Sequence, residues 1–280
     1  MKNHPLHATP SGPRRFKPSV RTGVVLAIWL GWFCLGWATA TAAAESDSDV
    51  LVVPLPALGH EAWQPLTFRS IEKGTQYEQM ADPNGRPAYR ASSECGASAM
   101  LLRLPKDYDQ AKTPRLAWRW RIERGLENDD EASARGDDFA ARVYVLFRFD
   151  PSRASVWRRL QNRMGERFFE AEIPGEALTY VWSSQRVPGA HWTSPTQKDA
   201  RVLVLESDSN EDASRVWREA IVDLGVDPKR VFESPPRLQA YAIGLMTDAD
   251  DTCREAVAWF SDFRLLGPLP SAAPEKSSPF

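Results

Sequence analysis

The stretch "LAWRWRIE" at residues 116–123 places Leu116, Trp118, Trp120 and Ile122 on one side of an extended chain, and Arg119, Arg121 and Glu123 on the other. Side chains of a β-strand alternate between faces, so this two-residue period writes a strand with one apolar and one wet face. The pattern recurs after the glycine of "RGDDFAARVYVLFRF". There Phe139, Ala141, Val143, Val145, Phe147 and Phe149 share one face, while Asp138, Ala140, Arg142, Tyr144, Leu146 and Arg148 share the other. Further strand candidates are 66–71, 88–93, 98–104, 178–184, 201–207, 239–247 and 256–266. Within 239–247 the run "AYAIGLM" is apolar on both faces, as a central strand of a two-layer fold requires. Two segments carry helical spacing instead. Residues 152–168 start at a Ser152 cap and repeat Val156, Leu160 and Met164; residues 213–224 repeat Val216, Ala220 and Leu224 before Gly225. Many strands with one or two short helices predict a mainly β fold, an antiparallel β-sandwich of jelly-roll, galactose-binding-like type.

The first 44 residues belong to a different physics. Arg14, Arg15, Lys17 and Arg21 precede an apolar stretch from Val24 to Ala38, and the small-residue run "TATAAAES" follows. That sequence of regions is a secretory signal peptide with cleavage after Ala44. Its apolar core is shorter than the ~20 residues that span a bilayer, which sets the alternative of an uncleaved anchor second. The expected organisation is a signal peptide over 1–44, one sandwich domain over 50–267 and a Pro/Ser/Ala-rich disordered tail over 268–280. The protein is expected to be exported, to the periplasm or beyond. Cleavage removes five basic residues and no acidic ones, so formal charge moves from 35 − 37 = −2 to 30 − 37 = −7. An acidic chain has little long-range attraction for nucleic acid or anionic membranes, so neither is an expected partner after cleavage.

The remaining chemistry is sparse. His60 and His191 are the only histidines after Ala44, too few for a histidine-built metal centre, and no nucleophile elbow or phosphate loop occurs. Cys95 and Cys253 either form a disulfide, as an oxidising compartment permits, or lie as two buried thiols. If 138–148 pairs antiparallel with 116–123 through the loop between them, Arg119, Arg121, Asp138, Arg142 and Tyr144 gather on one polar face. Such a face can grip carboxylates or sugar hydroxyls with bidentate hydrogen bonds. The competing account is a solvated face of compensating charges. Asp138 and Arg142, four residues apart, stand about 13 Å from one another along a strand and make no direct pair. Trp182 and Trp192, on and after the 178–184 strand, are candidates for an aromatic platform under a sugar ring or for core packing. In "TDADDT" at 247–252, Asp248 and Asp250 form an oxygen-rich loop that can take calcium, although the EF-hand pattern is absent; the alternative is an aspartate-rich turn. No cofactor is expected, with calcium at this loop as the alternative.

Several phrases carry a resemblance: "WQPLTF" at 63–68, "LAWRWRI" at 116–122, "GDDFAARVYV" at 136–145, "LTYVWS" at 178–183, "MTDADDT" at 246–252 and "FSDFRL" at 260–265. Together they resemble the bacterial domain-of-unknown-function family 3047, a set of exported proteins that lends no catalytic residues. The closing phrases also look like the last strands of galactose-binding-like carbohydrate modules, an analogy of fold. The expected function is a non-enzymatic binder of a saccharide or other small polar ligand in the cell envelope. The alternatives are a carbohydrate-active enzyme, of hydrolase type or a lyase using Arg142, Tyr144 and His191, and a structural envelope protein.

Overall fold

A computed structural model describes residues 50–68, 70–128, 130–152, 175–207 and 216–269. The expected signal peptide, the helix expected after Ser152 and the tail from residue 270 lie outside the described residues. The chain divides into two units, Met1–Ala44 and Glu45–Phe280, and the description concerns the second.

Thirteen strands and one short helix are described. They are β1 (Val52–Pro54), β2 (Trp63–Thr67), β3 (Gln76–Ala81), β4 (Pro87–Glu94), β5 (Ala97–Arg103), β6 (Arg115–Arg124) and β7 (Ala141–Phe147). There follow β8 (Ala177–Ser183), β9 (His191–Thr193), β10 (Ala200–Ser207), β11 (Arg218–Asp223), α1 (Asp227–Val231), β12 (Ala240–Asp248) and β13 (Glu255–Leu266). Two sheets form. The first runs β11-β6-β13-β4-β3, with β1 added to the far end of β13; the second runs β2-β5-β12-β7-β8-β10-β9. All pairings are antiparallel except β8 with β10, which is parallel.

The alternation seen in the sequence puts the core between the sheets. Leu116, Trp118, Trp120 and Ile122 of β6 are completely buried there, against Val143 and Val145 of β7 and Ile243 and Leu245 of β12. The two tryptophans meet edge to face at 5.3 Å, Trp120 meets Trp182 of β8 at 5.6 Å, and Trp118 stacks on Phe263 at 6.1 Å. Each fully buried aromatic of this kind contributes roughly 1.5–3 kcal/mol from burial, so the cluster is a main source of stability. Trp182 is thus a core residue, 2% exposed, and not part of a platform.

Two expectations are corrected. Strands β6 and β7 do not pair; they lie in different sheets, because β6 is taken up on both edges by β11 and β13. The segment 218–223 is strand β11 rather than helix. Its Ala220 and Val222 turn inward while Ile221 stays half exposed, a two-residue period that coexists in the sequence with the helical one. Pairing with the edge of β6 settles the choice. Cys95 and Cys253 are joined by a disulfide that ties the turn after β4 to the turn before β13.

Candidate binding face

The wet face of β6 becomes the outer face of the first sheet. The register sets Trp259 of β13 directly between Arg90 of β4 and Arg121 of β6. Trp217, just ahead of β11, meets Trp259 edge to face at 6.4 Å. The Arg121 guanidinium lies over both indoles, 4.8 Å from the Trp259 ring and 5.9 Å from that of Trp217, and Arg119 lies 5.1 Å over Trp217. Glu123 organises the row. It accepts two hydrogen bonds from Arg90, at 2.8 and 3.3 Å, and one from Trp259 Nε1 at 2.6 Å. The Arg90 hydrogen bond holds the Glu123 carboxyl below its ordinary value, so it is an acceptor here and not a proton donor. Arg121 differs from its neighbours. Its Nη2 stands 3.7 Å from Glu123, an ion-pair distance, and its Nε has no hydrogen-bond partner among the described residues. Arg119 donates to Asp82 at 2.6 Å.

Sequence reasoning selected Arg119 and Arg121 for this face but missed both tryptophans. Trp217 was hidden by the helical reading of 213–224. Trp259 carried a usable signal, since inward Ala256, Ala258 and Phe260 force it outward.

The other selected residues lie in the second sheet, in a different setting. Arg142 and Tyr144 do face away from the core, but that face is covered. Phe68 and Ile71 pack over Tyr144 and Met246, and Trp192 packs with Phe139, Val181, Val202 and Val204. Arg142 is 5% exposed. Its guanidinium donates to both Asp248 oxygens (2.8 Å from Nε to Oδ1), to Asp137 Oδ1 at 3.2 Å and to the Asp137 carbonyl, and it stacks over Phe139 at 4.7 Å. Asp138, 1% exposed, accepts from the backbone N–H groups of Asp251 and Thr252. The expected joint surface of Arg119, Arg121, Asp138, Arg142 and Tyr144 therefore does not exist; its members are split between two sheets. Trp192 is half-buried, capped by Arg186 at 4.9 Å. Gly136 begins this corner for a steric reason. A Cβ there would come within 2.4 Å of the Asp130 carbonyl oxygen.

Asp248 and Asp250 do come together, with Asp138. One carboxylate oxygen from each lies within 4.8 Å of the others, a separation that calcium–oxygen distances of about 2.3–2.6 Å can bridge. The same carboxylates already accept from Arg142 and from backbone N–H groups. Burial, the largest influence, pushes the Asp248 carboxyl up to about 7 against the attraction of Arg142, and Asp251 is raised to about 6 by burial and by Asp138.

Residues 61–264 match the family described as "Protein of unknown function (DUF3047)". The chain belongs to the DUF3047 family. Among curated proteins none matches. Among solved structures, this DUF3047 chain is similar to the family 11 carbohydrate-binding module from Clostridium thermocellum in complex with a β-1,3-1,4-mixed-linked tetrasaccharide. That likeness has 8% identity and a TM-score of 0.40, and covers 79% of this chain and 98% of that one. It is also similar to the family 11 module of a Clostridium thermocellum cellulosomal cellulase, at 10% identity and a TM-score of 0.42, covering 81% and 100%.

Chemically, the outer face of the first sheet in this DUF3047 protein combines indole surface with hydrogen-bond donors and acceptors held in fixed positions. The corner around Arg142 spends its donors and acceptors on itself. Of these two places, the first has exposed donors, acceptors and indoles together to offer an organic ligand.

Proposed function

We propose that this protein binds a saccharide, without chemistry, on the outer face of the first sheet, and does so in the cell envelope as residues 1–44 suggest. The observation that carries the reading is the Arg121 guanidinium, its side chain 25% exposed, stacked on Trp217 and Trp259 beside the fixed Glu123 carboxylate. Guanidinium donors and the fixed Glu123 acceptor suit ring hydroxyls, and the indoles suit the apolar faces of a sugar. The lowered Glu123 carboxyl, a fixed acceptor and not a proton donor, supports binding over hydrolysis.

Tryptophan fluorescence and calorimetry with a panel of cell-wall saccharides test this. Binding is expected, with Trp259→Ala and Arg121→Ala each weakening it about tenfold or more, in line with the hot-spot role of such residues. Flat responses across the panel, or variants that bind like the parent, overturn it.

A further inference from the structure

Two cavities open on the same face, one to each side of the Trp259 row, along the strand direction. One, of about 560 Å³, is lined by Asn84, Arg86, Arg119, Glu219, Asp262 and Arg264. The other, of about 610 Å³, is lined by Lys73, Gln76, Ser92, Glu94 and Glu255, among others. Leading into and along β4 the order is Arg86, Arg90, Ser92, so the cavities and the tryptophan row fall in one line. From Ser92 to Arg86 that line is about 20 Å long at the rise of an extended strand. We infer that the ligand is an uncharged linear oligosaccharide lying along β13, with its middle on Trp259 and Trp217 and one end in each cavity. The inference rests on the saccharide reading above and extends it to chain length, charge and direction.

Three observations carry it. First, the two ends differ in chemistry. The Arg86 end offers guanidinium donors, with Asp262 shared between Arg86 at 2.7 Å and Arg264 at 3.0 Å. The Ser92 end has no guanidinium in its lining and offers the Glu94 and Glu255 carboxylates, with Lys73, Gln76 and Ser92 beside them. There Glu94 and Glu255 stand directly opposite each other, a like-charge pair that a sheet does not place for its own stability. Glu255 is engaged by Arg124. Second, cations and carboxylates alternate along the whole line: Arg264 with Glu219, Arg119 with Asp82, Arg90 with Glu123. Such a surface has no field of one sign with which to select a polyanion, while it offers paired donors and acceptors to hydroxyls. Third, β13 bends at this end. Its pairing with β6 slips between Ser261 and Arg264, and Asp262 sits at φ +57°, a conformation that costs a non-glycine residue energy. That bulge is what turns the Asp262 carboxylate toward both arginines.

Calorimetry with neutral gluco-, manno- and xylo-oligosaccharides of one to six units reads the inference. Affinity in the responding series is expected to rise at least tenfold from the disaccharide to the longer chains. Ser92→Tyr and Arg86→Ala, both outside the tryptophan row, are expected to weaken the hexasaccharide at least fivefold while leaving the disaccharide unchanged. Thermal melts of both variants confirm that they fold. Equal affinity at every chain length, end variants without effect, or preference for an oligogalacturonate over all neutral chains each overturn the inference while Trp259-dependent binding stands. Failure of every saccharide to bind overturns the saccharide reading itself.

Discussion

Arg142 shows why a charged residue in a strand is not by itself a site. All three of its guanidinium nitrogens donate to acceptors of its own chain, namely Asp248, Asp137 and the Asp137 carbonyl. Removing it leaves those carboxylates buried without their cation, a change that typically costs about 3–5 kcal/mol. Arg142→Met is therefore expected to lower Tm by about 10 °C, given about 2–4 °C per kcal/mol for a domain of this size. Adding Asp248→Asn to Arg142→Met should recover part of that loss, because one uncompensated charge goes with it. Calorimetric or circular-dichroism melts decide, and a single variant as stable as the parent refutes the stabilising role of Arg142. The alternation placed Arg142 and Tyr144 on the correct side of their strand. It could not show that Phe68, Ile71 and Trp192 return from distant segments to cover that side. The 13 Å separation reckoned for Asp138 and Arg142 also assumed a strand through 138, whereas β7 starts at Ala141 and the chain before it turns back. That turn is what brings Asp137 onto the guanidinium.

At the scale of elements, legibility followed length and one-sided burial. Strands β4 to β7, β10 and β13 carry enough alternating apolar residues to declare themselves, while β8 and β12, buried at every position, read as β-rich apolar runs. Strands β1 and β9 have three residues each, and β3 is largely exposed, so none of them writes a period. Strand β11 fits two periods at once, and only its neighbour decides. Which strands share a sheet was not legible at all, since pairing partners leave no local mark, and that is why Arg121 and Arg142 were joined in error. The disulfide is an element-scale constraint of the same non-local kind. It closes a separation of 158 residues, for which chain entropy gives about 5 kcal/mol. Both half-cystines sit at left-handed φ, +48° and +51°, at the turns they join. Reduction with dithiothreitol is expected to lower Tm by at least 10 °C, and Cys95→Ala with Cys253→Ala should melt like the reduced parent. An unchanged melt on verified reduction sinks the claim.

At the scale of the molecule, the two sheets use their outer faces differently: the second covers much of its own around Arg142 and Tyr144 with Phe68, Ile71 and Phe139, and the first keeps its own partly exposed. The cost of the covered side is an acidic corner in which Asp137 and Asp248 bind Arg142 while Asp138, Asp250 and Asp251 crowd beside them. The consequence for pH follows from the sign of the shift. Asp248 is raised to about 7 in the folded protein, chiefly by burial, against about 4 for an unfolded aspartate. Between those values the folded state keeps a proton that the unfolded state has released, so the stability contributed by this group is complete below pH 4 and is lost as pH rises to about 7. Asp248→Asn carries a permanently neutral group of the same shape. Melted in EDTA, the parent should lose stability relative to Asp248→Asn by at most about 1.4 kcal/mol per pH unit between pH 4.5 and 7, and the two curves should run parallel above pH 7.5. A difference independent of pH would mean that Arg142 keeps Asp248 ionised throughout. Repeating the series with calcium chloride in place of EDTA tests the calcium alternative for "TDADDT". A rise in the parent's Tm at pH 8, reversed by EDTA and missing in Asp248→Asn, supports calcium at these oxygens. Superimposable curves leave the corner to Arg142 and the backbone N–H groups alone.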